Sequence, residues 1–139
     1  MGFPKEDPAM ARPPARHPTE LELEILKILW RCGSGSVRQV RDEIAPSRAL
    51  AYTSVQTMMN IMVAKGYLRR ERGVGSWVYR PRIREQTTCR QMLRDLVNRV
   101  FDGSAGAAAV HLLEDADLVP EDLARLRRLL ARKAKEEQP

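Results

Sequence analysis

The sequence predicts a mainly α fold, a winged helix-turn-helix DNA-binding domain followed by a helical dimerisation module. Three observations carry this prediction. In residues 51–66, Val55, Met58, Met59 and Met62 fall at i, i+3, i+4 and i+7, one face of an α-helix. The next stretch, residues 67–80, places two runs of β-branched and aromatic residues around Gly73-Val74-Gly75, as a hairpin with an arginine-dense first arm would. Beyond Pro81 come three short amphipathic patterns that have too little partner surface inside one chain. The expected divisions are a Pro-rich tail at 1–16, a winged-helix domain at 17–84 and a three-helix dimerisation module at 85–135.

The elements follow in chain order. Pro4, Pro8, Pro13 and Pro14, set among Gly, Lys, Arg and Asp without periodicity, predict a disordered tail. Thr19-Glu20-Leu21-Glu22 fits a capping box opening the first helix, with Leu21, Ile25, Ile28 and Leu29 as its buried stripe and Leu26 and Trp30 widening it. Ser36-Val37-Arg38-Gln39 opens the second helix by the same logic; Val37, Val40 and Ile44 are its apolar face and Pro46 ends it. Arg38 and Arg41 project outward, within reach of phosphates. A short strand is allowed between the second and third helices. Gly66 stops the third helix, since glycine takes the left-handed cap conformation without a Cβ clash.

After the hairpin, residues 88–101 return to a helical pattern with Leu93, Leu96, Val97, Val100 and Phe101 on one broad side. An alanine-rich helix at 105–114 contributes Val110 and Leu113. Pro120 opens a last helix whose stripe includes Leu126 and Leu130. These nine apolar residues are the expected dimer contacts. The alternative is that the three helices fold back onto the N-terminal domain.

Charge sharpens the functional reading. The 139 residues carry 24 Lys+Arg against 18 Asp+Glu, a formal charge of +6. Residues 1–84 hold 15 basic and 8 acidic side chains, and residues 85–139 hold 9 and 10, so the positive charge belongs to the first part. Between Ser47 and Arg84 there are 8 basic residues against Glu71 alone, the footprint of a polyanion partner. The back of the third helix is uncharged and short-chained, as a helix lying against base edges would be. Thr53, Ser54, Thr57 and Asn60 are its groove-facing candidates and Arg48 and Arg72 the phosphate holders. Tyr52, Arg70 and Ser76 complete the DNA-binding set. The third helix has no arginine to grip guanine, so an A·T-rich or shape-led operator is expected.

Other classes find less support. No stretch approaches the roughly 20 apolar residues of a membrane span, and no apolar segment near the N-terminus resembles a secretion signal, so a cytoplasmic protein is expected. Cys32 and Cys89 form no C-x-x-C pair, and nothing places His17 or His111 beside them, so neither a metal site nor a cofactor is expected. The cysteines are read as buried and structural. No nucleophile–base pair or Gly-rich phosphate loop suggests an enzyme. Two alternatives remain: a winged-helix module binding an acidic protein partner, and a thiol- or metal-responsive repressor.

With these residues in view, the chain resembles the penicillinase-repressor (BlaI/MecI-type) family of bacterial winged-helix regulators, to which copper-responsive repressors are related. The matching marks are the run 19–30, Ser36-Val37-Arg38-Gln39-Val40, the run 51–57, Lys65-Gly66-Tyr67-Leu68, Tyr79-Arg80-Pro81, the run 97–104 and Leu113-Glu114. The resemblance implies a homodimeric repressor on a palindromic operator with half-sites of the TACA/TGTA kind, controlling antibiotic-resistance, cell-wall-stress or metal-handling genes. It also implies relief of repression by a membrane sensor-metalloprotease that cuts within the dimerisation helices. The family's scissile Asn-Phe pair aligns with His111-Leu112, a departure that bears on the cut site. A second departure is Ile61, where relatives carry a basic residue. The copper relatives' C-terminal cysteine pairs are absent.

Overall fold

In the computed structural model, which describes residues 17–137, Thr19 opens α1 (Glu20–Cys32) with both halves of a capping box. The Thr19 amide donates to Glu22 Oε1 at 2.8 Å, and the Glu22 amide donates to Thr19 Oγ1 at 3.3 Å. Ser36 and Gln39 repeat the arrangement at the start of α2 (Val37–Ile44). The tail expected at 1–16 lies outside the described residues. α3 (Tyr52–Ala64) ends as anticipated at Gly66, whose φ is +85°. There the Gly66 amide donates to the Val63 carbonyl at 3.0 Å and the Tyr67 amide to that of Met62 at 2.9 Å, a Schellman closure.

Two antiparallel strands follow, β1 (Leu68–Arg72) and β2 (Trp77–Pro81), with Leu68 opposite Pro81 and Arg72 opposite Trp77. The strand allowed between α2 and α3 is absent. A single strand-like residue, Gly35, instead lies between α1 and α2 and bridges Tyr79. A Cβ there would lie 3.2 Å from Leu29 Cδ2, so the glycine lets the connection press onto the core. Ile25, Leu26, Leu29, Val40, Ile44, Val55, Met59, Met62, Leu68 and Tyr79 make the buried centre. Met58 is only half-buried at its margin. Each fully buried aliphatic contributes on the order of 1.5–3 kcal/mol. Glu22 is the buried carboxylate of this core. Besides capping α1, it accepts from Lys65 Nζ at 2.7 Å, tying the start of α1 to the end of α3.

α4 (Glu85–Val100) starts three residues earlier than its apolar pattern suggested, with Thr88 buried. The chain divides into two compact units between Leu93 and Arg94. The second unit holds the end of α4, α5 (Ala105–Asp115) and α6 (Pro120–Glu136). Ser104 caps α5 by accepting from the Ala107 amide at 3.0 Å, and Pro120 sits in the first turn of α6. Among the described residues of this unit, Ala108 is the only buried apolar side chain. Leu96, Val100, Val110, Leu112, Leu113, Leu129 and Leu130 are exposed, as is Leu93 just before it.

The expectation of buried cysteines is corrected here. Cys32 and Cys89 are both exposed free thiols, because each falls on the solvent side of its helix. Among the described residues no group of His, Cys, Asp and Glu is arranged to hold a metal, and no helix is long and apolar enough to cross a membrane.

Candidate nucleic-acid interface

α3 buries Val55, Met59 and Met62 and presents the opposite side outward. Tyr52, Thr53, Ser54 and Thr57 are all exposed along it. Ile61, expected only as a departure from the family pattern, is exposed one turn beyond Thr57 and continues the line of Thr53 and Thr57. The helix begins at Ala51 without a side-chain cap or an acidic residue in its first turn. Its free amides and the positive end of its dipole are therefore left for an external acceptor.

The strand register explains how the wing is arranged. Side chains alternate, so Leu68, Arg70 and Arg72 share a face with their partners Pro81, Tyr79 and Trp77. At the base of the hairpin this face enters the core through Leu68 and Tyr79. Toward the tip the same face carries a stack, in which the Arg70 and Arg72 guanidinium carbons lie 4.5 and 5.0 Å from the centre of the Trp77 ring. Such contacts are worth about 0.5–1 kcal/mol at an exposed site and hold the long side chains extended. Trp77 is the residue that sequence reasoning missed. Its signal was the pairing of Arg72 with Trp77, readable only once the hairpin register is known. On the other face Arg80 Nε donates to the Glu71 carboxylate, holding that carboxyl below its ordinary range. The one acidic residue of the wing is thereby neutralised, while Arg70 and Arg72 form no ion pair among the described residues.

A hollow of about 530 Å³ lies between α2, the start of α3 and the hairpin tip. Ser36, Arg38, Arg41, Tyr52 and Ser76 line it, so Tyr52 and Ser76 come together with the two outward arginines of α2.

Two expected contacts sit differently. Arg48 turns back onto α1, its Nε donating to Glu24 Oε2 at 2.7 Å with Glu20 3.6 Å from its guanidinium. That hydrogen bond holds the Glu24 carboxyl below its ordinary value. A phosphate would have to compete with two carboxylates for Arg48, so Arg48 braces the α2–α3 connection. Asn60 is half-buried and turned toward the hairpin, its Oδ1 accepting from Tyr79 Oη at 2.8 Å and from Arg70 Nη1 at 2.9 Å.

Three helices with a β-hairpin after the third, an exposed polar helix face and a basic wing define a winged-helix transcription regulator. The comparisons narrow the class. The profile of the penicillinase-repressor family matches residues 18–132, and the chain belongs to that family. It is 32% identical over 114 residues to the transcriptional regulator BlaI of Mycobacterium tuberculosis, across 77% of this chain and 83% of that one. With the penicillinase repressor of Bacillus licheniformis it shares 25% over 112 residues, 81% and 88% of the two chains. A solution structure of monomeric Bacillus licheniformis BlaI with the blaP half-operator is similar at 27% identity, 50% and 85% coverage and a TM-score of 0.45. The chain is a DNA-binding transcriptional repressor and not an enzyme.

Proposed function

We propose that the chain acts in the cytoplasm as a homodimer on a palindromic operator, with α3 in the major groove and the hairpin along the neighbouring backbone. The observation that carries this reading is the uncharged, exposed line of Thr53, Ser54 and Thr57 beside a wing whose two stacked arginines pair with no carboxylate among the described residues. Short hydroxyl side chains suit close approach to base edges, and fixed guanidinium groups suit phosphates. Repression is steric, by occupancy of a promoter. The exposed apolar residues of the second unit support self-association, since a helix unit with one buried alanine has no core of its own.

Relief of repression is assigned to proteolysis by a membrane sensor-metalloprotease at His111-Leu112. Both residues are exposed, and the bond lies inside α5, with the His111 ring 5.4 Å from that of Phe101. Cutting there would divide the apolar surface without touching a DNA-contacting residue.

The test uses a duplex selected from a random pool by the full-length chain. Thr57→Ala should narrow the gap between the selected duplex and random DNA with the melting midpoint unchanged. Arg72→Ala should weaken both alike and lower the salt slope by about one unit. Retention of the wild-type gap by Thr57→Ala would remove Thr57 as a reader. Tighter, salt-sensitive retention on an acidic protein than on duplex DNA would favour a protein-interaction module.

A further inference from the structure

We propose that Asn60 is a positioning residue, one that fixes the wing against the recognition helix so that groove and backbone are engaged at a set separation, and does not itself read a base. The proposal rests on the DNA-binding reading above and deepens it. A carbonyl oxygen has two lone pairs, and both of those on Asn60 Oδ1 are taken, by Tyr79 Oη at 2.8 Å and Arg70 Nη1 at 2.9 Å. The arginine can only donate, which fixes oxygen as the atom facing it. An asparagine that reads adenine needs the oxygen for the N6 amine and the nitrogen for N7 together. With the oxygen filled, that bidentate contact is closed to Asn60.

What Asn60 holds is the wing. Tyr79 is 1% exposed, and its backbone is clamped to Gly35 by two hydrogen bonds of 3.0 and 2.8 Å. Asn60 thereby joins the recognition helix to a buried, backbone-bonded point of the core. Through Arg70 the same oxygen reaches the Trp77 ring, on which Arg72 also rests. One side-chain oxygen thus connects α3, the base of the hairpin and the guanidinium groups of its distal half. Freeing it would let the hairpin swing on its base while the helix kept its place in the core.

The experiment measures the salt dependence of binding to the selected duplex for four full-length chains: wild type, Arg72→Ala, Asn60→Ala and the double variant. Arg72→Ala should lower the slope by about one unit. Asn60→Ala should lower it by one to two units, about the number of wing arginines released. Adding Arg72→Ala to Asn60→Ala should produce no further fall, and renewed selection with Asn60→Ala should return the wild-type sequence. Loss of folded protein alone would reduce the active fraction and leave the slope where it was. Asn60→Asp keeps both acceptor lone pairs and covers the case in which Asn60→Ala does not fold. In that background Arg72→Ala should still lower the slope by about one unit, with the selected sequence unchanged. A wild-type slope for Asn60→Ala, additive losses in the double variant, or a changed base at one selected position for either variant would each overturn the proposal. If Arg72→Ala leaves the slope of the otherwise wild-type chain unchanged, the wing is off the backbone, and the reading on which the proposal rests fails first.

Discussion

Arg48 shows how much a single side chain's role depends on what lies across the fold from it. In sequence it belongs to a basic stretch next to the recognition helix. In space it faces the acidic half of α1 and binds Glu24, with Ser47 Oγ donating to the same carboxylate at 3.0 Å. The hydrogen bond from Arg48 sets the Glu24 carboxyl below its ordinary value of 4.5. A carboxyl lowered on folding stabilises the protein above its unfolded value, and that contribution disappears as the pH falls through the folded one. Arg48→Ala should therefore melt below wild type at neutral pH, with the difference closing in acid as the Glu24 carboxylate is protonated in the folded chain. The Arg80–Glu71 pair has the same sign, the hydrogen bond from Arg80 holding the Glu71 carboxyl low. Melting curves across pH check both; a gap that persists in acid would mean that Arg48 contributes by packing alone.

At the scale of elements, the wing depends on its turn. A Cβ on Gly73 would lie 2.5 Å from Val78 Cγ2 and 3.0 Å from the Ser76 carbonyl oxygen, so the tip must shift to admit one. Gly73→Ala should lower the salt slope of DNA binding by one to two units and leave the melting midpoint close to wild type, since the tip is outside the core. An unchanged slope would detach the wing's conformation from its function. Much at this scale was legible in the sequence, and for a local reason. The capping boxes at Thr19 and Ser36, the Gly66 stop and the Pro120 start depend on residues three or four positions apart, so their geometry follows from spacing. Core stripes were equally readable, because burial repeats with the helical period. The Lys65 partner of Glu22, the Glu24 partner of Arg48 and the Tyr79 partner of Asn60 are 43, 24 and 19 residues away. No pattern within an element encodes such pairings. The two thiols were misread because cysteine packs well in cores generally, and only the rotation of each helix decides whether it does so here.

For the molecule as a whole, the two units differ in what they can do alone. The first has a closed core, whereas the second exposes Leu96, Val100, Val110, Leu113 and Leu130. Val100→Asp should convert the full-length chain to a monomer in sedimentation, with each half-site bound at its intrinsic affinity. Loss of linkage between two half-sites should weaken operator binding by about 10²–10⁴, through effective concentration. A dimeric Val100→Asp chain, or one with full operator affinity, would sever dimerisation from DNA binding. Under the cleavage proposed above, the placement of His111-Leu112 inside α5 adds a kinetic consequence. Proteases bind extended backbone, so the bond is available only during the moments when α5 is unwound. The stability of one eleven-residue helix would then act as the clock of induction. Gly106 lies in that helix with open space where a Cβ would go. Gly106→Ala should stabilise α5 by about 0.4–1 kcal/mol and slow cleavage about two- to fivefold, with operator affinity unchanged. Amide exchange in α5 and the rate of cutting should slow together, and the cell carrying this variant would remember the absence of its signal for longer.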